Sequence, residues 1–184
     1  MALVASLALV AGVAKAQEYT VTTPLVGSAN FVSNFTVPAY DPALDPSGLG
    51  SLQNVKITVA LKQTRIYSLR SRHPFLPATG TFDQSGFATY SITTLKDNLL
   101  ISDFSPIPVD NLVALPLQPA TINTHNYVLV NEQTISPMAE FLSKRKLVML
   151  HLAVSGGSSF TGSGMLTQET DIFTEVEIKI HYNP

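Results

Sequence analysis

Residues 175–182 read Glu-Val-Glu-Ile-Lys-Ile-His-Tyr and alternate strictly between polar and apolar side chains. In an extended chain successive side chains point to opposite faces, so this period of two places every apolar residue on one face. One face is then buried and the other meets water, as in an antiparallel sheet that covers a core. The stretch predicts a half-buried β-strand near the end of the sequence.

The same period of two recurs through most of the chain. Residues 55–62 alternate in the same way, and shorter alternating stretches occur at 31–35 and 87–92. Residues 147–154 are almost continuously apolar, which predicts a strand covered on both faces. The two clearest strands are predicted to supply the buried core residues Val55, Ile57, Val59, Ile178 and Ile180.

Turn-forming residues separate these stretches at short intervals, for example at Asp41-Pro42, Ser85-Gly86 and Ser155-Gly156-Gly157. Residues 101–121 hold four prolines, which remove ladder donors and predict an edge strand or an extended crossover. Many strands with turns at short spacing predict an all-β fold, an antiparallel β-sandwich of jelly-roll or immunoglobulin-like type.

One short helix is predicted near 136–144. Ser136 suits a helix cap and Pro137 suits the first helical position. The basic residues at 144–146 would lie near the helix C-terminus, where the helix dipole favours cations.

The first residues resemble a secretory leader. Residues 2–14 read ALVASLALVAGVA, and Ala14-Lys15-Ala16 has the form of a signal-peptidase site. No Lys or Arg precedes the apolar run, and a buried N-terminal helix is the alternative. The run is shorter than the ~20 residues that span a bilayer, so no stable membrane span is expected. We predict a signal peptide over 1–16, a single β-sandwich domain over 17–184, and a secreted or cell-surface location.

The composition excludes several classes of protein. The 184 residues are 45% apolar and 13% charged, which suits a chain with a sizeable core rather than a disordered one. The net charge of −2 provides no basic field for nucleic acid. The sequence contains no cysteine, which excludes disulfides, thiolate metal sites and cysteine nucleophiles.

No catalytic or metal-binding pattern emerges from the remaining residues. None of His73, His125, His151 and His181 forms a close ligand pair, and His151 is predicted to lie in the core or an interface. The glycine-rich residues 156–164 lack the ending of a phosphate-binding loop and the spacing of a nucleophile elbow, and they predict a hairpin turn with a glycine bulge. The expectation is therefore a protein without catalytic, cofactor or metal site, and not an enzyme.

Two weaker patterns keep alternatives open. Asp41 and Asp45 are close enough in sequence to hold calcium, although capping of turns is the ordinary role of Asp before Pro. The basic residues Arg65, Arg70, Arg72 and His73 form a cluster. That cluster suits contact with an acidic glycan or with a partner subunit, and a solvated loop is the alternative.

Both ends of the chain resemble the choice-of-anchor E domain. The stretch Phe35-Thr36-Val37-Pro38-Ala39-Tyr40-Asp41-Pro42-Ala43-Leu44, followed by Gly50-Ser51-Leu52 and a Val-rich strand, resembles the opening of that family. Phe160-Thr161-Gly162-Ser163-Gly164 and the last strand are similar to its ending. The residues between about 70 and 145 are unmatched, residues 45–49 look like an insertion, and the family's C-terminal sorting anchor does not follow Pro184. The resemblance implies an exported bacterial surface protein with no established enzymatic role.

Together these features predict a non-catalytic structural protein, a subunit of an extracellular filament, sheath or matrix that associates with identical copies through β-strands. Residues 18–26 are predicted to pair with a neighbouring subunit, with a role as the domain's own first strand as the alternative. The alternative function is a secreted carbohydrate-binding or adhesion module that recognises a surface glycan. Tyr67, Tyr90 and Tyr127 are its candidate stacking residues.

Overall fold

The computed structural model describes residues 17–44, 51–83, 88–105, 109–142 and 147–183. Within these residues β-strands predominate, and the helical part is a single 3-10 turn at Pro42–Leu44. The all-β fold predicted from the alternation is confirmed. The predicted leader, residues 1–16, lies outside the described residues, as does Asp45 of the candidate calcium loop.

The described residues form eleven strands, numbered here in chain order. They are β1 (Gln17–Thr22), β2 (Phe31–Pro38), β3 (Asn54–Ser71), β4 (Ala78–Asp83), β5 (Ala88–Thr94), β6 (Leu99–Ser105), β7 (Asp110–Ala114), β8 (Thr121–Ile135), β9 (Leu147–Ser155), β10 (Ser159–Ser163) and β11 (Leu166–Asn183).

Eight of these strands make two facing sheets with jelly-roll connectivity. One sheet has the order β1-β11-β3-β8 and the other β2-β9-β5-β6, and every pairing between these described strands is antiparallel. Apart from the consecutive pair β5 and β6, the chain alternates between these sheets as it proceeds, which is the double Greek-key arrangement of a jelly roll. Of the two sandwich types predicted, the strand order therefore selects the jelly roll.

The remaining three strands form a smaller sheet with the order β10-β4-β7. In the sequence, each of the three lies between two strands of the sandwich. In the structure they cover the C-terminal end of β3. A second apolar cluster lies there, separate from the main core, and consists of Tyr67, Leu69, Phe82, Leu112 and Ala114. The Pro-rich residues 101–121 supply edge strands β6 and β7, as predicted.

The predicted core residues are all buried. Val55, Ile57, Val59, Ile178 and Ile180 each have 0% exposed surface and belong to the main core between the two sheets. In the register of β3 with β11, Ile57 lies opposite Ile180 and Val59 opposite Ile178. The alternation thus fixes the register, because a slip by one residue would expose the whole set.

The helix predicted near 136–144 does not form in its described part, residues 136–142. Two consecutive turns occur instead, in which Phe141 N donates to the Met138 carbonyl and Leu142 N to the Ala139 carbonyl. The Phe141 side chain is fully buried, and its carbonyl accepts a hydrogen bond from Tyr40 N at 3.0 Å. These tertiary contacts compete with the i to i+4 pattern and override the local helix signals.

Strand β9 is covered on one face only, which corrects the prediction from its apolar run. Val148, Leu150 and Leu152 point into the core, whereas Leu147 and Met149 are exposed on the outer face. His151 also lies on that outer face and not in the core. On the outer face its Nδ1 is 2.7 Å from the Asn34 side-chain oxygen. A two-layer sandwich has one core, so the outer faces of its strands meet solvent.

The glycine-rich residues 156–164 form a strand, not the predicted hairpin turn. Residues 159–163 are β10, and Gly162 lies directly opposite Gly80 of β4. The Phe160 ring covers both glycines so closely that a Cβ at either position would overlap it. Glycine is therefore required by a close aromatic approach, a role that strand glycines often have. The turn follows at Gly164, whose φ of 94° suits glycine.

The first strand belongs to the chain's own sheet. Residues 17–22 pair with β11 from Tyr182 to Glu177, and Val26 continues along the same strand through a bridge to Thr174. Gln17 also holds Asp41, since its amide nitrogen donates to the Asp41 carbonyl at 2.6 Å and its oxygen accepts from Asp41 N at 2.8 Å. The prediction that residues 18–26 pair with a neighbouring subunit is therefore wrong for this structure, and the alternative holds.

Candidate assembly interface

Strand β8 is a long edge strand whose outer face carries three exposed apolar side chains, with Thr124 and Asn126 between the first and the second. Its 15 residues pair with β3 on one side, and no other described strand is paired with it. On the outward face Ile122, Val128 and Val130 are 63%, 65% and 60% exposed. We call the outward face and free edge of residues 122–130 the β8 surface. Isolated exposed apolar residues are ordinary, but adjacent ones such as Val128 and Val130 on an unpaired edge strand form a recognised association site.

The β8 surface lacks the features that normally protect an edge. No Asp, Glu, Lys or Arg occurs between Asn111 and Asn131, and β8 contains no proline. Its register with β3 is continuous over Thr121–Ile135, without a bulge. Charges, prolines and bulges are the usual means by which an edge strand avoids pairing with another chain.

The other edge strands of the described sheets are shorter, and most carry such protection. Strand β1 has six residues and includes Glu18, and β6 has seven and includes Asp103. Strand β7 has five residues and includes Asp110, and β2 has eight and ends at Pro38. The five-residue β10 is also short. Length, charge and sequence therefore distinguish β8 from the other edges.

Polar contacts on the inward side hold β8 in place. Asn123 donates to both carboxylate oxygens of Asp110 at 3.0 Å, and His125 Nε2 lies 2.8 Å from Asp110 Oδ2. Farther along, the partly buried Tyr127, Leu129 and Ile135 pack against the main core. Because its inward side chains are fixed, β8 presents its outer face as a preformed surface.

The charges on this sheet lie beside the β8 surface and not within it. Three ion pairs join a lysine Nζ to a glutamate Oε1. They are Lys56–Glu132 at 2.8 Å, Lys62–Glu175 at 3.4 Å and Lys179–Glu177 at 3.2 Å. These pairs are solvent-exposed, so each contributes little to the free energy of folding. They make the middle of the sheet hydrophilic and leave the apolar stretch at the β8 edge.

The predicted basic cluster divides into two parts. Arg65 is fully buried: its Nε donates to Gln63 Oε1 at 2.9 Å and its Nη1 to the Gly157 carbonyl at 3.1 Å. Arg70, Arg72 and His73 lie together along a cleft at the end of β3. Arg65 has the same parity as the buried residues of β3, but its inward position was not predicted, because Arg is rarely buried without a paired charge.

The three candidate sugar-stacking tyrosines do not form an exposed platform. Tyr67 and Tyr90 are 0% and 2% exposed, and Tyr127 is partly buried against the core. Burial, with a smaller effect of the Asp103 charge, raises the pKa of Tyr90 to about 12. Burial likewise raises the pKa of Tyr67. Their rings serve the two cores rather than a ligand.

The predicted histidine and aspartate candidates are dispersed. His181 is 3.4 Å from Glu18, and His73 accepts backbone hydrogen bonds in a loop. Asp41 accepts a hydrogen bond from Ala43 N at 2.9 Å, which is the turn-capping role. In the described parts of the chain, no three His, Cys, Asp or Glu residues cluster as a metal site would require. Within the same residues, no helix has the length and apolar character needed to cross a membrane.

Comparisons with known proteins give a distant structural likeness only. No family model matches the chain, and no curated protein matches it. The alignment with the chain of the T=1 particles derived from infectious bursal virus covers 91% of this chain and 36% of that chain, at 12% identity and a TM-score of 0.19. The alignment with the chain of the VP2 subviral particle of infectious bursal disease virus covers 92% of this chain and 42% of that chain, at 13% identity and a TM-score of 0.20. The chain thus spans about two fifths of these capsid chains, and TM-scores this low carry no argument about its function.

Proposed function

We propose that the protein is a non-catalytic structural subunit that associates with a second copy of itself through the β8 surface. The observation that carries the proposal is a 15-residue edge strand with three exposed apolar side chains and no charge before Glu132. Backbone hydrogen bonds along the edge would give the contact direction, and burial of the apolar side chains would give it free energy.

A second copy of β8 suits this edge better than β1 of another subunit does. Two β8 strands related by a twofold axis run antiparallel, and a register with Val128 opposite Val130 of the partner brings both valines of each copy into cross-strand contact. The outward positions of β1 are Glu18, Thr20 and Thr22, which offer a carboxylate and no large apolar group. Of these two arrangements, the twofold one brings apolar groups against apolar groups, and it joins two four-stranded sheets into one of eight strands.

The remaining elements of the proposal rest on the sequence. Export is supported by the apolar run and the small-x-small site in residues 1–16, and the surface role by the resemblance to the choice-of-anchor E domain. A filament, sheath or matrix needs a further contact beyond the β8 pair.

Charge substitution at one position tests the interface. The molar mass of residues 17–184 is measured by light scattering and sedimentation over a range of concentrations, for the unaltered chain and for Val130→Lys and Val130→Glu. We expect a concentration-dependent dimer or larger species for the unaltered chain, and monomer for each variant. In this register the two residues 130 are diagonal neighbours across the strands, within reach of long side chains, so an equimolar mixture of the two variants should associate again.

Val32→Lys is the matched control, since Val32 is 63% exposed on an outer face of the other sheet. It should associate as the unaltered chain does. A monomeric unaltered chain at about millimolar concentration, or equal dissociation by Val32→Lys, would contradict the proposal.

A further inference from the structure

A cleft of about 750 Å³ lies at the end of β3 and β11, away from Val128 and Val130. Its volume is within the range of ligand-binding clefts. Residues of β3, β11, the loop after β3 and the loop before β8 contribute to it. The lining includes Ser68, Arg70, Arg72, His73, Leu117 and Glu169.

The two arginines of the cleft are not neutralised by neighbouring carboxylates. Arg70 and Arg72 are exposed, and neither makes an ion pair or side-chain hydrogen bond within the described residues. Glu169, the one acidic residue in the lining, lies opposite Ser68 in the register of β3 with β11, while Arg70 lies opposite Thr167. The cleft therefore combines a net positive charge with one carboxylate and the three hydroxyl groups of Ser68, Ser71 and Thr167.

His73 is held in one orientation and one tautomer. Its Nδ1 accepts hydrogen bonds from the backbone N–H of Phe75 at 3.1 Å and of Leu76 at 3.0 Å. In this arrangement the ring proton is on Nε2, which is left as a donor. Ser71 fixes the same loop, since its hydroxyl donates to the Leu76 carbonyl at 2.8 Å and accepts from His73 N at 3.3 Å. The loop is thus ordered before any ligand arrives.

Leu117 places an apolar side chain on the same cleft. It is 82% exposed and has a φ of 59°, a left-handed conformation that costs a branched residue about 1–2 kcal/mol relative to ordinary backbone. Pro74 and Ala120 also line the cleft. An aliphatic patch next to charged and hydroxyl groups suits a ligand with both C–H surfaces and polar groups.

We infer that this cleft binds an acidic oligosaccharide through the carboxylate of a uronic acid. Arg70 and Arg72 would bind the carboxylate, because a planar guanidinium matches a carboxylate with two parallel hydrogen bonds. Glu169 is exposed and accepts hydrogen bonds only, so it favours a ligand that brings hydroxyl donors as well as a negative charge. A sulfate ion brings no hydroxyl donor and places like charge beside Glu169, and a phosphate ion offers one or two hydroxyls but no sugar C–H face. The C–H face of a sugar ring would then contact Leu117.

Titration calorimetry with trigalacturonate tests the inference, with maltotriose as the neutral trisaccharide and inorganic phosphate as the simple anion. Trigalacturonate should bind, and maltotriose and phosphate should bind at least about tenfold more weakly. The Arg70→Gln/Arg72→Gln chain should lose at least about tenfold in affinity for trigalacturonate, because each removed bond to a charged group is worth about 1.5–3 kcal/mol.

Lys62→Gln is the matched control, since it removes a positive charge from the same face of β3 outside the cleft. It should change the affinity less than about twofold, and thermal unfolding should confirm that all variants remain folded. Absence of binding at about 10 mM trigalacturonate, equal binding of phosphate, or an equal loss in Lys62→Gln would overturn the inference. None of these outcomes depends on whether the β8 surface associates.

Discussion

Tyr182 donates its hydroxyl hydrogen to the Pro38 carbonyl over 2.7 Å and thereby joins the two facing sheets. Tyr182 is the buried end of β11 in one sheet, and Pro38 is the last residue of β2 in the other. The rings of Tyr19, Tyr40 and Phe141 surround it edge-on at centroid distances of 5.9, 6.1 and 6.0 Å. Burial raises the pKa of Tyr182 well above its usual value, so the hydroxyl remains a donor.

Replacement of Tyr182 by Phe should lower the free energy of unfolding by about 1–2 kcal/mol. The ring and its aromatic contacts remain, and the loss comes from leaving the Pro38 carbonyl without this donor. Urea denaturation at neutral pH measures the change. Tyr19→Phe is the control, since no hydrogen bond is recorded for that hydroxyl in the described region, and its effect should stay within about 0.5 kcal/mol. Equal effects of both substitutions would refute the assigned role.

The stability of the fold should decrease above about pH 10, in part because of Tyr90. Burial, then the Asp103 charge, raises the pKa of Tyr90 to about 12. In the unfolded chain a tyrosine loses its proton near pH 10, so between these values the unfolded state binds fewer protons than the folded state. The stabilisation is therefore complete below about pH 10 and is lost as the pH rises toward 12, by about 1.4 kcal/mol per pH unit.

Comparison with Tyr90→Phe isolates this contribution. The difference in free energy of unfolding between the two chains should be constant from about pH 7 to 9 and should shift in favour of the variant by about 2–3 kcal/mol at pH 12. Urea denaturation at each pH provides the values. A difference that stays constant across the alkaline range would show that Tyr90 titrates normally in the folded protein.

Sequence periodicity predicted the sandwich because its long strands alternate without interruption. Strands β3 and β11 are neighbours in one sheet and contain the segments Val55 to Leu61 and Val176 to Tyr182. The period of two alone was sufficient to identify the buried face of each segment. The prediction failed where tertiary contacts outweighed local preferences. Phe141 docks in the core and prevents a helix, and the outward apolar residues of β9 have no second layer to cover them.

The candidate site was harder to predict than the fold. That β8 is an edge strand depends on strand order, which the pattern of residues 121–135 does not encode. The absence of charge between Asn111 and Asn131 was the available signal, and it becomes informative only when the edge is known. Part of the cleft could be predicted from the sequence, since Arg70, Arg72 and His73 are close together along the chain. Leu117 and Glu169 are distant in sequence and are brought to the cleft by the fold.

Addition of a methyl group at Gly162 should destabilise the small sheet. A Cβ at this position would lie 2.6 Å from the Phe160 ring and 2.8 Å from Leu166, so the ring must leave its place over β4. Gly162→Ala should therefore lower the free energy of unfolding by about 1–3 kcal/mol, the usual cost of overpacking. Combining it with Phe160→Leu should reduce this cost, because the two changes concern one contact. Additive effects in chemical denaturation would contradict the assigned cause.

The buried Arg65 should contribute through its volume rather than its charge. Its guanidinium bonds with Gln63 and the Gly157 carbonyl, and no carboxylate forms an ion pair with it in the described residues. The Nη2 atom is buried without a hydrogen bond of good geometry. A buried cation without a counter-charge loses hydration that it does not recover. Replacement by an apolar side chain of similar length removes that cost.

Arg65→Met should accordingly leave the free energy of unfolding within about 1 kcal/mol of the unaltered chain, or raise it. Arg65→Ala should be less stable than Arg65→Met by about 2–4 kcal/mol, because it leaves a cavity between the two cores. Chemical denaturation of the three chains gives both differences. If Met and Ala destabilise the protein equally, the hydrogen bonds to Gln63 and Gly157 stabilise this region and the packing argument is wrong.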